Sequence, residues 1–108
     1  MSQSSDNSRC AKVIGTGGYL PETIRTNDDI SKLVDTSDSW IFERTGIKTR
    51  RIAGPDETAS SMAEIAARQA IEMAAISADE IDLIIVATGS PDRVYPSTGC
   101  MLQQRLGI

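Results

Sequence analysis

Apolar positions along this chain fall into two kinds of pattern, short bursts at helical spacing and one unbroken run. The unbroken run is Asp82 to Thr88, D-L-I-I-V-A-T, of strand length and without alternation. A strand of that kind is buried on both faces, as in a parallel sheet covered by helices. The longest helical pattern precedes it, starting at Thr58 or at Ser61 and running to about Ala75, with Ser61 and Glu64 forming a capping box if the later start holds. Ala63, Ala66, Ala67, Ala70 and Ala74 leave this helix thin, so it can pack closely against more than one neighbour. Near the start, Ala11 to Tyr19 leads from an extended apolar pair into three glycines and reads as a strand ending in a tight turn. Strand, helix, strand in that order predicts a right-handed α/β crossover.

Shorter elements fill the remainder. Asn27 caps a helix over Asp28 to Val34, and a second short helix runs from Asp38 to Thr45, with Thr36 or Ser37 as its cap and Gly46 as its stop. Lys48 to Ile52 reads as a basic edge strand closed by Gly54-Pro55. Ser77 to Glu80 forms a turn, Pro91 to Pro96 an irregular loop at the carboxyl end of the apolar strand, and Ser97 caps a last helix, Thr98 to Leu106, ended by Gly107. Open α/β sheets bind ligands at such carboxyl ends.

The helix at Asp38 to Thr45 carries the candidate chemistry. Trp40 and Arg44 are four residues apart and share one face, so a flat aromatic surface lies beside a fixed positive charge. An adenine could stack on the first while a phosphate pairs with the second. Periodicity alone favours the plainer alternative, a tryptophan packed in the core and a solvated arginine. The glycines of Gly15-Thr16-Gly17-Gly18-Tyr19-Leu20 do not make a dinucleotide fingerprint, because leucine stands where the third glycine is needed and Pro21 follows instead of a helix. Gly17 and Gly18 are better read as points of close backbone approach.

Composition narrows the picture further. With 108 residues, 40% of them hydrophobic and 24% charged, the chain has the size of one soluble domain with one core. Its net charge of −4 argues against nucleic acid as the main partner. Within that acidic balance Arg44, Lys48, Arg50 and Arg51 make a local basic patch, open either to an anionic ligand or simply to solvent. No run reaches the roughly 20 apolar residues of a membrane-spanning helix. Residues 1–10 read as a flexible polar tail, and Cys10 and Cys100, in a chain without an apolar leader, as reduced thiols of a cytoplasmic protein. Histidine is absent, which removes the commonest general base and metal ligand. Three strands and two substantial helices are too few to cover a doubly buried strand, so the chain reads as an incomplete piece of a larger domain.

Taken together, K-V-I-G-T-G-G-Y-L-P at Lys12 to Pro21, V-D-T-S-D-S-W-I at Val34 to Ile41, R-T-G-I at Arg44 to Ile47, D-L-I-I-V-A-T at Asp82 to Thr88, and Y-P-S-T-G-C-M-L-Q-Q-R-L-G-I at the end match one known pattern in order. The chain resembles the amino-terminal part of the β-ketoacyl-[acyl-carrier-protein] synthase III family over nearly everything from Lys12 to Ile108. The resemblance implies an α/β, thiolase-like five-layer αβαβα sandwich, of which residues 11–108 are an incomplete first half, working as a homodimer. It implies an acyl group moved from coenzyme A to a cysteine, then decarboxylating condensation with malonyl-acyl carrier protein, with no cofactor beyond the coenzyme A thioester and no metal.

For individual residues, the resemblance implies that Trp40 stacks on the adenine of coenzyme A, that Arg44 sits by its phosphates, and that Thr36 and Thr45 line the same entrance. Tyr95 matches an aromatic that reaches toward the partner subunit's acyl pocket, where many relatives have phenylalanine. The catalytic cysteine, histidine and asparagine of the family are placed beyond Ile108, so no catalytic residue is expected in this chain, and Cys100 is expected to be an inert core thiol. Two rival readings remain: a same-fold condensing enzyme with another acyl substrate, such as an alkylquinolone or polyketide starter, and a non-catalytic piece that only binds or assembles.

Overall fold

Hydroxyl side chains set where the helices of this chain begin. Thr26, Ser37, Thr58 and Ser97 each stand in extended backbone, and each accepts a hydrogen bond from the amide three residues on. That contact satisfies one of the donors that a helix start leaves without an intrahelical partner. The structure, a computed structural model, describes residues 9–108. In chain order its elements are β1 (Thr23–Thr26), α1 (Asn27–Ser31), α2 (Asp38–Thr45), β2 (Thr49–Ile52), α3 (Ala59–Ala74), a 3₁₀ turn at Ala78–Glu80, and α4 (Thr98–Leu106). Gly46 and Gly107 stop α2 and α4 in the left-handed conformation that glycine adopts at no steric cost. Of the expected tail, 1–10, only Arg9 and Cys10 fall within the described residues, and both are exposed.

β1 and β2 form an antiparallel pair in which Thr23 faces Ile52 and Arg25 faces Arg50. The sequence pattern located the second strand and missed the first, since Thr-Ile-Arg-Thr is only four residues long and follows Pro21-Glu22. α1 is shorter than its expected span and starts one residue earlier, because Thr26 and Asp29 make the capping box and Asn27 is freed for another task. In α3 the capping box joins Thr58 to Ser61. Glu64 instead binds Arg68 at 2.8 Å and Arg105 of α4 at 3.2 Å, tying the two helices together. Leu102 and Leu106 of α4 are the buried apolar residues among those described.

The alanine stripe of α3 accepts backbone from the start of the chain. A Cβ on Gly15 would lie 2.2 Å from the carbonyl oxygen of Ala70, and one on Gly17 would lie 2.0 Å from that of Ala66. No side chain fits there. Gly18, read from sequence as a second such point, has open space around it, and Gly15 takes that role.

Two expected strands are not formed as strands. Neither Ala11 to Tyr19 nor Asp82 to Thr88 pairs with another segment of the described chain, so the parallel crossover is not assembled here. A strand exists only through a ladder of hydrogen bonds to a neighbour, and β1 and β2 bond only to each other. Nor is the second run buried on both faces. Ile84 and Val86 lie toward the start of α4, whereas Leu83 and Ile85 are 74% and 83% exposed. The radius of gyration is 19.8 Å, where a compact domain of this length would have about 13 Å. The described chain is therefore a set of correctly capped elements with much of its apolar surface uncovered.

Candidate functional site

α2 owes its orientation to polar contacts beneath it. Ser37 caps its start, and Asp38 in the first turn complements the helix dipole. Two residues of helix, at about 100° each, set Asp38 and Trp40 about 200° apart around the axis, so Asp38 faces Asn27 and the hairpin while Trp40 lies on the other side. Trp40 is 52% exposed. Together with Ile30, Val34, Thr36, Ser37 and Ile41 it lines an open groove between α1 and α2.

The Arg44 guanidinium carbon lies 4.2 Å from the centre of the Trp40 ring. This cation–π contact holds the positive charge over one face of the indole. The ring also borders the open groove. Thr36 also lines the groove, and its hydroxyl is buried without a hydrogen-bond partner. An orphaned buried hydroxyl is costly.

Thr45 and Tyr95 are placed differently. The Thr45 hydroxyl donates to the Ile41 carbonyl at 2.7 Å and accepts from the Ile47 amide at 3.1 Å, so it closes the end of α2, one turn beyond the groove. Tyr95 stands on the loop before α4 and is exposed, apart from the groove. That loop is held to α3 by Asp92, whose carboxylate accepts from both the amide and the hydroxyl of buried Ser60. These Ser60 hydrogen bonds keep the Asp92 carboxyl below its ordinary range. Structure thus brings Thr36, Trp40 and Arg44 together, leaves Thr45 at the end of the helix, and puts Tyr95 elsewhere.

Cys100 lies in the first turn of α4, where its amide donates to the Ser97 hydroxyl. It is exposed rather than a core thiol, because α4 turns Leu102 and Leu106 inward and the apolar run beside it leaves its start open. Cys10 is also free and exposed. In the basic patch, Arg51 donates to the Pro21 carbonyl at 2.9 Å and Arg50 to the Arg25 carbonyl at 3.2 Å, so both guanidinium groups brace the hairpin. The residue that sequence reasoning missed is Asn27, which it took for a helix cap.

No protein-family model matches the chain. Among curated proteins, β-ketoacyl-[acyl-carrier-protein] synthase III of Methylococcus capsulatus is 65% identical over 101 residues, which is 94% of this chain and 32% of the relative. The chain matches the amino-terminal part of the β-ketoacyl-[acyl-carrier-protein] synthase III family. It spans about a third of the length of the curated relatives it matches. Among solved structures, 3-oxoacyl-[acyl-carrier-protein] synthase III from Aquifex aeolicus superposes with a TM-score of 0.83 at 53% identity, covering 89% of this chain and 31% of that one. The priming β-ketosynthase of the R1128 polyketide pathway gives 0.82 at 38% identity, covering 89% and 29%. The α/β, thiolase-like fold expected from sequence is borne out, with this chain as part of it. Elements that look unpartnered here are arranged as they are in those longer chains. Among the described residues, no helix is long and apolar enough to cross a membrane.

Proposed function

We propose that these residues form the coenzyme A entrance of a cytoplasmic, homodimeric acyltransferase that starts fatty-acid chains. The reaction is the decarboxylative condensation of acetyl-coenzyme A, or another acyl-coenzyme A, with malonyl-acyl carrier protein to give a 3-oxoacyl-acyl carrier protein. The observation that carries this reading is the half-exposed Trp40 with Arg44 stacked on it beside a groove that holds an orphaned hydroxyl. Adenine stacks on the indole, Arg44 moves between the ring and a phosphate, and Thr36 lines the same entrance. The acyl acceptor is a thiolate supplied by the synthase outside this segment. Tyr95 contributes to the acyl pocket and the dimer contact, and Thr45 lies along the coenzyme path.

Calorimetric titration of the chain with coenzyme A tests this. Binding is expected, and Trp40→Ala should weaken it by about 1–3 kcal/mol, the range for a stacked base. Equal affinity in the wild type and in Trp40→Ala would refute the entrance. A second reading, condensation of a different starter acyl group, is favoured by the likeness to the polyketide priming enzyme. Turnover of a synthase containing this segment with a panel of acyl-coenzyme A primers separates the two.

A further inference from the structure

We infer that Asn27 is a positioning residue for the coenzyme A face of α2, acting through Asp38 and Arg50; this rests on the entrance reading of Trp40 and Arg44. Asn27 is 1% exposed, one of two polar side chains among the described residues that are fully enclosed. Its amide nitrogen donates to the Asp38 carboxylate at 2.7 Å and to the Ile47 carbonyl at 2.8 Å. Its amide oxygen accepts from Arg50 at 2.7 Å, and its backbone amide donates to the Lys48 carbonyl at 3.2 Å.

The amide orientation is dictated by its surroundings. A carboxylate and a carbonyl can only accept, and a guanidinium can only donate, so a flipped amide would face three mismatched partners. No residue of similar size does the same job. Aspartate would set a second carboxylate against Asp38, and leucine would leave Asp38, Ile47 and Arg50 each short of a partner.

The contacts fall at both ends of one helix. Asp38 opens α2, and Ile47 lies two residues past its end. A single buried amide thus fixes the helix at two points along its length, and Arg50 anchors that amide to the hairpin, since its other nitrogen holds the Arg25 carbonyl. With Asp38 held inward, the rotation of α2 is set, and with it the outward direction of Trp40 and Arg44. This is how the hairpin, which touches no ligand, governs a binding face.

Hydrogen exchange and coenzyme A titration on Asn27→Leu test the assignment. Exchange of the α2 amides is expected to rise at least about ten-fold, with α3 unchanged, and coenzyme A affinity to fall about ten-fold, the size of a lost net hydrogen bond or two. In a Trp40→Ala background, Asn27→Leu should cost no further affinity, whereas a general loss of stability would lower it in both. Asp38→Asn, which keeps an acceptor for Asn27, should retain most of the affinity. Ser60→Ala, which removes the other enclosed polar side chain, should loosen α3 and spare α2. If Asn27→Leu does not fold, Asp38→Ala removes one of the bonds and serves in its place. Unchanged α2 exchange would overturn the inference, as would full coenzyme A affinity in the variant. Loosened α2 in a chain that never binds coenzyme A would uphold the positioning role and overturn the entrance reading instead.

Discussion

The segment from Thr23 to Ile52 is rich in charged side chains, the segment from Ile81 to Ile108 has few, and the two end in different conditions. In the first, two strands pair with each other, two helices are capped, and a buried asparagine joins them through four hydrogen bonds. In the second, α4 is equally well capped, yet the apolar run before it pairs with nothing and leaves Leu83 and Ile85 in the open. Polar groups can be satisfied by near neighbours, whereas a doubly buried strand needs neighbours on both edges and layers on both faces. The difference teaches that the proposed ligand face sits on the part whose polar contacts are completed within the segment itself. What the second part needs lies further away.

Substitutions can break this contrast, and the largest effect is expected in the α3/α4 pair. Leu102→Ala should destabilise that pair by about 2–5 kcal/mol, as buried leucine truncations do. Denaturant unfolding followed by hydrogen exchange reads it, and the exchange of α2 should hardly change. Loss of α2 protection in the same variant would show the two parts to be one cooperative unit. Next is Gly17→Ala, where the added methyl meets the Ala66 carbonyl and should cost about 1–3 kcal/mol, the usual range for overpacking. Gly18→Ala, with open space around it, is the control and should be close to neutral. Equal effects would deny the close approach of this segment to α3.

A smaller effect is expected at the start of α2. Ser37→Ala should weaken the helix by about 1 kcal/mol through loss of its cap, read as lower helicity and faster exchange at Trp40. Smallest is the response of α1 to acid. The amide and hydroxyl of Thr26, with Lys32, hold the Asp29 carboxyl down at about 2 from its ordinary 3.8. A group whose folded value is depressed stabilises fully above its unfolded value, so the α1 cap should be intact above about pH 4 and lost as pH falls toward 2. A carboxyl titration by NMR that gives Asp29 an ordinary value would contradict the capping box.

Legibility in the sequence follows the same division. α2 and α4 were readable to the residue, because Ser37 and Gly46, and Ser97 and Gly107, carry the stop and start signals within the elements themselves. The end of α3 was readable to within one residue, while its start was open between Thr58 and Ser61, and Thr58 is the cap that forms. The fold class was legible through the order of several family-like segments, of which D-L-I-I-V-A-T is one. That run shows its apolar character in any sequence listing, but not the strands that would flank it. β1 was missed because a four-residue polar strand has no periodicity to detect. Asn27 was misread because its partners are 11, 20 and 23 residues away, beyond any local rule. Trp40 and Arg44 were legible as a pair on one face, while only the structure shows the guanidinium lying on the ring.

The claim that α2 presents a coenzyme A face can be tested directly, since Trp40 is the only tryptophan in the chain. Its fluorescence should be quenched in a saturable way by coenzyme A and become shielded from acrylamide, while pantetheine, which lacks the adenine, should do neither. Emission that is the same with coenzyme A as with pantetheine would contradict the account.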